Sequence, residues 1–82
     1  MAAYKILFKE SAEKDLKKIP KSLLKNIIRK ISSLENNPYP NGFVKLSGAE
    51  GFYRIRSGDY RVIYSMFGIS GTEKMSINQF NL

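Results

Sequence analysis

The sequence contains no cysteine and no histidine. Without cysteine the chain cannot form disulfide bridges, and without either residue it lacks the Cys/His clusters that hold structural zinc. The absence of histidine also excludes Ser-His nucleophilic catalysis, and no glycine-rich segment resembles a phosphate-binding loop. We therefore expect neither a metal ion nor a cofactor.

Long hydrophobic segments are missing as well. No stretch approaches the roughly 20 apolar residues of a membrane-spanning helix, and the first ten residues, MAAYKILFKE, lack the apolar core of a secretory signal peptide. These absences predict a cytoplasmic protein with no membrane partner. A chain of 82 residues is long enough for one small domain, and we expect residues 1–82 to form it.

Acidic residues are scarce relative to basic ones. Seven Asp and Glu residues stand against fourteen Lys and Arg residues, which gives a net charge of +7 and an isoelectric point near 9.8. Such an excess is typical of a protein that binds a polyanion. Nucleic acid is the first candidate, followed by an anionic membrane surface and an acidic protein partner.

The first half of the chain predicts a strand and two helices. Apolar and polar residues alternate over residues 3–9, which indicates a strand with one buried face. Ser11 is expected to cap the first helix, and Pro20 fits the first turn of the second. The inner faces of the two helices are predicted from their apolar spacing to carry Ala12, Leu16 and Ile19 in the first, and Leu24, Ile27, Ile28, Ile31 and Leu34 in the second.

The second half predicts a return to strands. Residues 36–42 are rich in Asn, Pro and Gly and indicate a loop, after which residues 43–46, 52–56, 60–67 and 73–80 are strand candidates. The expected order is β-α-α-β-β-β-β. The predicted class is α+β, with an N-terminal strand and a two-helix hairpin packed on an antiparallel sheet.

The segment FYRIRSGDYRVIY, residues 52–64, predicts a β-hairpin in detail. Placing Gly58 first in a two-residue turn favours type II′, whose first central position requires a positive φ. This turn sets Arg56 opposite Arg61 and Ile55 opposite Val62. A three-residue loop would instead bring Arg61 beside Ile55 in the core, where a charge is costly. The apolar side of the hairpin is therefore expected to pack on the helices.

The other side of this hairpin collects three of the four arginines of the chain, Arg54, Arg56 and Arg61. Like charges placed directly opposite each other destabilise a strand pair by up to about 1 kcal/mol. A phosphate backbone would offset this cost, because the arginine fork grips phosphate oxygens bidentately. The alternative is an ordinary solvated face, with the arginine stems over apolar surface and their charged ends in water.

The segment YRIRSGDYRVIY resembles the signature hairpin of the RelE/ParE toxin superfamily, and the preceding helices and loop are similar to those of the same family over roughly residues 4–67. The resemblance implies a toxin held inactive by a cognate antitoxin. It also implies RelE-like, metal-independent cleavage of mRNA on the ribosome, by attack of the 2′-hydroxyl on the neighbouring phosphorus. Arg54, Arg56 and Arg61 would then be catalytic, and we expect them, together with Lys45, to bind RNA.

The C-terminal segment, GISGTEKMSINQFNL, departs from the family pattern, because it contains no arginine, histidine or tyrosine. RelE-type toxins usually carry there a further Arg or Lys and a Tyr or His that help with proton transfer. Glu50, Glu73 and Lys74 are weak substitutes, expected to be surface charges. Phe52 and Phe67 are expected to be packing residues. Two alternatives stay open: a ParE-like poison of DNA gyrase, and a catalytically weakened toxin that acts as an antitoxin- or RNA-binding module.

Overall fold

The computed structural model describes residues 4–48, 51–68 and 73–82. The order of elements confirms the β-α-α-β-β-β-β prediction and the α+β class. Their bounds are β1 (Lys5–Phe8), α1 (Glu10–Leu16), α2 (Lys21–Ser33), β2 (Val44–Lys45), β3 (Phe52–Ser57), β4 (Tyr60–Phe67) and β5 (Lys74–Asn81).

The strands form one sheet in the order β1-β5-β4-β3-β2. The pairs β2–β3, β3–β4 and β4–β5 are antiparallel, as predicted. The pair β1–β5 is parallel, so the sheet is mixed rather than wholly antiparallel. A tight hairpin forces two strands that follow each other in the chain to pair antiparallel. Both helices and three strands lie between β1 and β5, so no hairpin fixes the direction of this pair.

The core lies between the helices and one side of the sheet. The helical segment contributes Ala12, Ile19, Ile27, Ile31 and Leu34, and the strands contribute Ile55, Val62, Tyr64, Met75, Ile77 and Phe80. The expected inner face of α2 is confirmed except at Ile28, which is 39% exposed. At 100° per residue, position 28 falls at the margin of the stripe that the other four apolar residues share.

The predicted capping role of Ser11 is wrong. Helix α1 begins one residue earlier, with Lys9 at the N-cap and no side-chain cap. The Ser11 hydroxyl instead donates to the carbonyl oxygen of Asn78 at 2.8 Å, and the backbone N–H of Phe80 donates to the Asp15 carboxylate at 3.1 Å. The pairing of β1 with β5 ends at Ile77. The side chains of Ser11 and Asp15 therefore provide hydrogen-bond partners for the β5 backbone beyond that point.

Pro20 lies at the N-cap of α2, immediately before the predicted first turn. Within the described ranges, neither helix has the length and apolar character needed to cross a membrane.

Candidate nucleic-acid interface

The hairpin of β3 and β4 has the predicted turn and register. Gly58 has a φ of +62°, and no described non-glycine residue, Asp59 included, has a positive φ, which agrees with a type II′ turn and excludes type I′. The paired residues run without interruption from Ser57 opposite Tyr60 to Phe52 opposite Ser65. A two-residue turn therefore fixes the face of every side chain in the hairpin.

The side of the sheet away from the helices is called the open face below. Residues directly opposite each other in a sheet share a face, so the register identifies its members. On the four longer strands these are Lys5, Leu7, Phe52, Arg54, Arg56, Arg61, Ile63, Ser65, Phe67, Lys74, Ser76, Gln79 and Asn81. None of the five strands contains Asp or Glu, so the open face carries cations without strand carboxylates to balance them.

The three hairpin arginines meet at the turn end of the open face. Arg56 and Arg61 lie directly opposite each other and are exposed, and Arg54 pairs with Ile63 and is half-buried. In a directly opposed pair such as Arg56 and Arg61, the two Cβ atoms are expected to be roughly 4.5–5.5 Å apart. The Nε of Arg54 is buried and has no hydrogen-bond acceptor in the structure. A group of cationic donors this close together is suited to an anion with several oxygens, such as phosphate.

Lys45, the fourth predicted RNA-binding residue, is not brought to this group. It lies opposite Tyr53 in the β2–β3 pair, whereas its neighbour Val44 lies opposite Arg54. Tyr53 packs against the core on the helix side. Lys45 is therefore an exposed cation at the sheet edge on the other face, and a role for it in RNA binding stays a prediction.

A buried polar network occupies the middle of the open face and was not predicted from the sequence. Ser76 donates to the Oδ1 of Asn78 at 2.9 Å, and the Asn78 Nδ2 donates to the Ser65 hydroxyl at 3.1 Å. Asn78 lies where the β4–β5 register shifts, so it is the extra residue of a bulge. The only sequence signal was two serines and an asparagine within strand segments, where apolar residues are more usual. The network separates the arginines from the far end of the open face with a neutral strip.

An aromatic cluster supports the hairpin from the opposite side of the sheet. The ring of Tyr53 lies 5.7 Å from that of Tyr64 and 5.2 Å from that of Tyr39. The Tyr64 hydroxyl donates to the carbonyl oxygen of Pro38 at 2.5 Å. Burial, followed by electrostatic interaction with the nearby phenols of Tyr39 and Tyr53, raises the pKa of Tyr64 well above its ordinary value. This hydroxyl is therefore a structural donor and holds its proton at neutral pH.

The weak candidates for acid and base do not join the arginines. Lys74 lies opposite Phe67, six residues along β4 from Arg61, which corresponds to about 20 Å. Glu73 immediately precedes Lys74 and β5, and Glu50 lies outside the described residues. The described residues contain no group of three or more Asp or Glu side chains that could hold a metal ion. The arrangement therefore offers a group of cationic donors, of the kind suited to an anion such as phosphate.

Comparison with known proteins agrees with this geometry. A family model described as the ParE toxin of type II toxin–antitoxin systems, parDE, matches residues 6–74. The chain belongs to this ParE toxin family. A curated relative, the candidate toxin RelE1 of Methanocaldococcus jannaschii, is 41% identical over an alignment of 54 residues, and the match covers 62% of this chain and 60% of the relative.

Solved structures of RelE-containing complexes are similar to this chain. A chain of the archaeal RelE–RelB complex of Pyrococcus horikoshii matches with a TM-score of 0.80 and 28% identity, with 96% of this chain and 93% of that chain covered. The intact E. coli RelBE toxin–antitoxin complex gives a TM-score of 0.79 and 25% identity, with 96% and 95% covered. The chain thus belongs with the RelE/ParE-like toxins in family and fold, and the predicted resemblance is confirmed.

Proposed function

We propose that this toxin is a RelE-like endoribonuclease that cuts mRNA on the ribosome and so inhibits translation. The observation that carries the proposal is the grouping of Arg54, Arg56 and Arg61 on a sheet face that the helices leave uncovered and whose strands contain no carboxylate. An RNA strand can reach such a face, and its phosphates would supply hydrogen-bond acceptors to groups such as the Nε of Arg54, which has none among the described residues.

The arginines would act on the charge that develops at the scissile phosphate. When the 2′-hydroxyl attacks phosphorus, negative charge grows on the non-bridging oxygens, and the leaving 5′-oxygen then carries charge until it gains a proton. Fixed donors aimed at these oxygens stabilise the transition state more than the ground state. The opposed pair Arg56 and Arg61 can hold one phosphate from two sides, and Arg54 can contact its neighbour.

Proton transfer needs groups other than these arginines. Arginine carries its proton at neutral pH, so its side chain cannot take the proton of the 2′-hydroxyl. We propose that this proton passes to water, to the RNA itself or to the ribosome. If the ribosome takes the proton, it would contribute to proton transfer as well as to positioning the mRNA.

A bound antitoxin is the proposed regulator. The similar archaeal and E. coli structures are of RelE in complex with RelB and of the RelBE pair. In this chain, β2 is the terminal strand of the sheet and Val44 is 40% exposed. A short exposed edge strand offers backbone groups for an added strand, and the charge of +7 favours an acidic partner.

Expression toxicity tests the role of the arginine face. We expect induced expression of the unaltered chain to arrest growth, and Arg56→Ala and Arg61→Ala to relieve the arrest. Arg29→Ala is the matched control, because Arg29 is exposed on α2 and is the one arginine outside the hairpin. Equal toxicity of all three variants, at equal protein levels, would refute the proposal.

A ParE-like action on DNA gyrase is the second candidate. It is favoured by the match of residues 6–74 to the parDE toxin model, and it would need no proton-transfer residues. A DNA supercoiling assay with purified gyrase separates the two candidates. Loss of supercoiling activity without mRNA cleavage would support the gyrase poison, whereas mRNA cleavage with unaffected gyrase would support the endoribonuclease.

A further inference from the structure

We infer that the end of the open face away from the arginines is a second RNA-binding site, in which Phe67 stacks on an unpaired base while Lys5 and Lys74 contact the adjoining phosphates. These three residues are called the Lys-Lys-Phe row. The inference rests on the proposed function only in taking RNA as the ligand, and it requires no cleavage.

The register aligns the three side chains across adjacent strands. Lys5 of β1 pairs with Lys74 of β5, and Lys74 pairs with Phe67 of β4. Neighbouring strands lie roughly 4.8 Å apart, so the row spans about 10 Å. Because paired residues share a face, all three side chains lie on the open face.

Phe67 is available to a ligand. The preceding residue, Met66, packs against the core on the helix side, whereas Phe67 is 45% exposed. Phe67 is thus more accessible than the sequence-based expectation of a packing residue suggests. A large aromatic ring exposed beside two lysines differs from an isolated surface residue, because the ring and the cations can bind the base and the phosphates of the same nucleotide.

The charge of the row favours an anionic ligand. Two lysines are direct neighbours across the β1–β5 pair, and like charges at such positions destabilise the sheet unless an anion offsets them. Glu73 precedes Lys74 in the chain, so this end of β5 carries one carboxylate against two cations. Phosphates would bring further negative charge to the lysines without requiring a fixed geometry, since lysine binds phosphate as a point charge.

Single-stranded RNA fits this chemistry better than a duplex. Proteins that bind single strands combine cations along the backbone with aromatic side chains on which bases stack. In a duplex the bases are already stacked on one another, so Phe67 would have no free base face to contact. The row lies about 20 Å along β4 from Arg61, beyond the neutral strip of Ser65 and Ser76. It would therefore hold nucleotides a few positions away from the cleaved bond.

The test is RNA binding by purified protein, measured by fluorescence anisotropy over a series of salt concentrations. The probe is a labelled oligouridine RNA of about 12 nucleotides, within the range of single-strand binding sites. One variant is Lys5→Gln/Lys74→Gln. Its matched control is Lys21→Gln/Lys25→Gln, which removes the same charge from exposed positions on α2. Circular dichroism establishes that each variant is folded.

The lysines and the phenylalanine should have separable effects. The slope of log K against log salt is negative, and each lost phosphate contact makes it shallower by about 0.7. The slope of the Lys5/Lys74 variant should therefore be shallower by about 1.4, and that of the α2 control should change much less. Phe67→Ala and Phe67→Leu should weaken binding at least about fivefold with the slope unchanged, and Phe67→Tyr should restore it.

Three results would overturn the inference: no RNA binding by the unaltered chain, equal slopes for the two lysine variants, or full affinity in Phe67→Leu. Failure of the endoribonuclease proposal gives a different result. In that case mRNA is not cut on the ribosome, while the slope and stacking effects on oligouridine persist.

Discussion

Replacement of Tyr64 by phenylalanine tests the packing behind the arginine hairpin at neutral and alkaline pH. Tyr64 is fully buried on the helix side of β4, and its hydroxyl donates to the carbonyl oxygen of Pro38. This bond ties the sheet to the loop between α2 and β2. Because the ring is kept, we expect Tyr64→Phe to fold with lower stability.

At neutral pH the loss of stability comes from the carbonyl oxygen of Pro38, which no longer has a hydrogen-bond donor. Pro38 is buried, so its oxygen cannot turn to water once the hydroxyl is gone. A buried acceptor without a partner costs about 1–3 kcal/mol. Native domains are stable by roughly 5–15 kcal/mol, so Tyr64→Phe should remain folded with a clearly lower unfolding midpoint.

At alkaline pH the raised pKa of Tyr64 determines the sign of the effect. Burial and the neighbouring Tyr39 and Tyr53 keep this hydroxyl protonated in the folded state, whereas in the unfolded chain it ionises near its ordinary pKa of about 10. Unfolding then releases a proton, and stability falls by up to about 1.4 kcal/mol per pH unit above pH 10. Phenylalanine has no such proton, so the stability difference between the two proteins should shrink.

Guanidinium unfolding followed by circular dichroism, at neutral pH, near pH 10 and about one unit higher, measures both effects. The other ionisable groups are the same in both proteins, so the difference in unfolding free energy isolates Tyr64. A difference that stays constant or widens above pH 10 would refute this account of the Tyr64 hydroxyl.

Three further stability predictions follow from the fold, all measurable by equilibrium unfolding. Asp15→Ala should cost about 1.5–3 kcal/mol, since it removes a charged acceptor from the Phe80 N–H, and Asp15→Asn should cost less because it keeps an acceptor oxygen. Gly58→Ala should cost about 1–2 kcal/mol from backbone conformation alone, because φ is +62° and no atom lies within 4 Å of the added Cβ. Ile27→Ala should cost about 2–5 kcal/mol, whereas Ile28→Ala, at a position that is 39% exposed, should cost only about 1 kcal/mol.

The hairpin was predictable from the sequence because its determinants are local. Gly58 next to Asp59 selects a two-residue turn, and that turn fixes the strand register. The same reasoning brought Arg54, Arg56 and Arg61 to one face, as found. Alternation with a period of two then separates charged and buried side chains without knowledge of the rest of the fold.

Features that depend on contacts between distant segments were not predictable. The parallel pairing of β1 with β5 joins the first and last strands, and no turn between them signals its direction. The hydrogen bond of Ser11 to Asn78 spans 67 residues, and locally Ser11 resembles a helix cap. Lys45 lies on a two-residue strand whose pairing with β3, rather than its own pattern, determines its face.

Primer extension on mRNA in a reconstituted translation reaction tests the proposed function most directly. The purified chain is compared with the triple variant Arg54→Ala/Arg56→Ala/Arg61→Ala and with Arg29→Ala as the matched control. The account predicts discrete cuts at ribosome-bound codons with the unaltered chain and with Arg29→Ala, and none with the folded triple variant. Absence of cuts with the unaltered chain, or equal cutting by the triple variant, would contradict it.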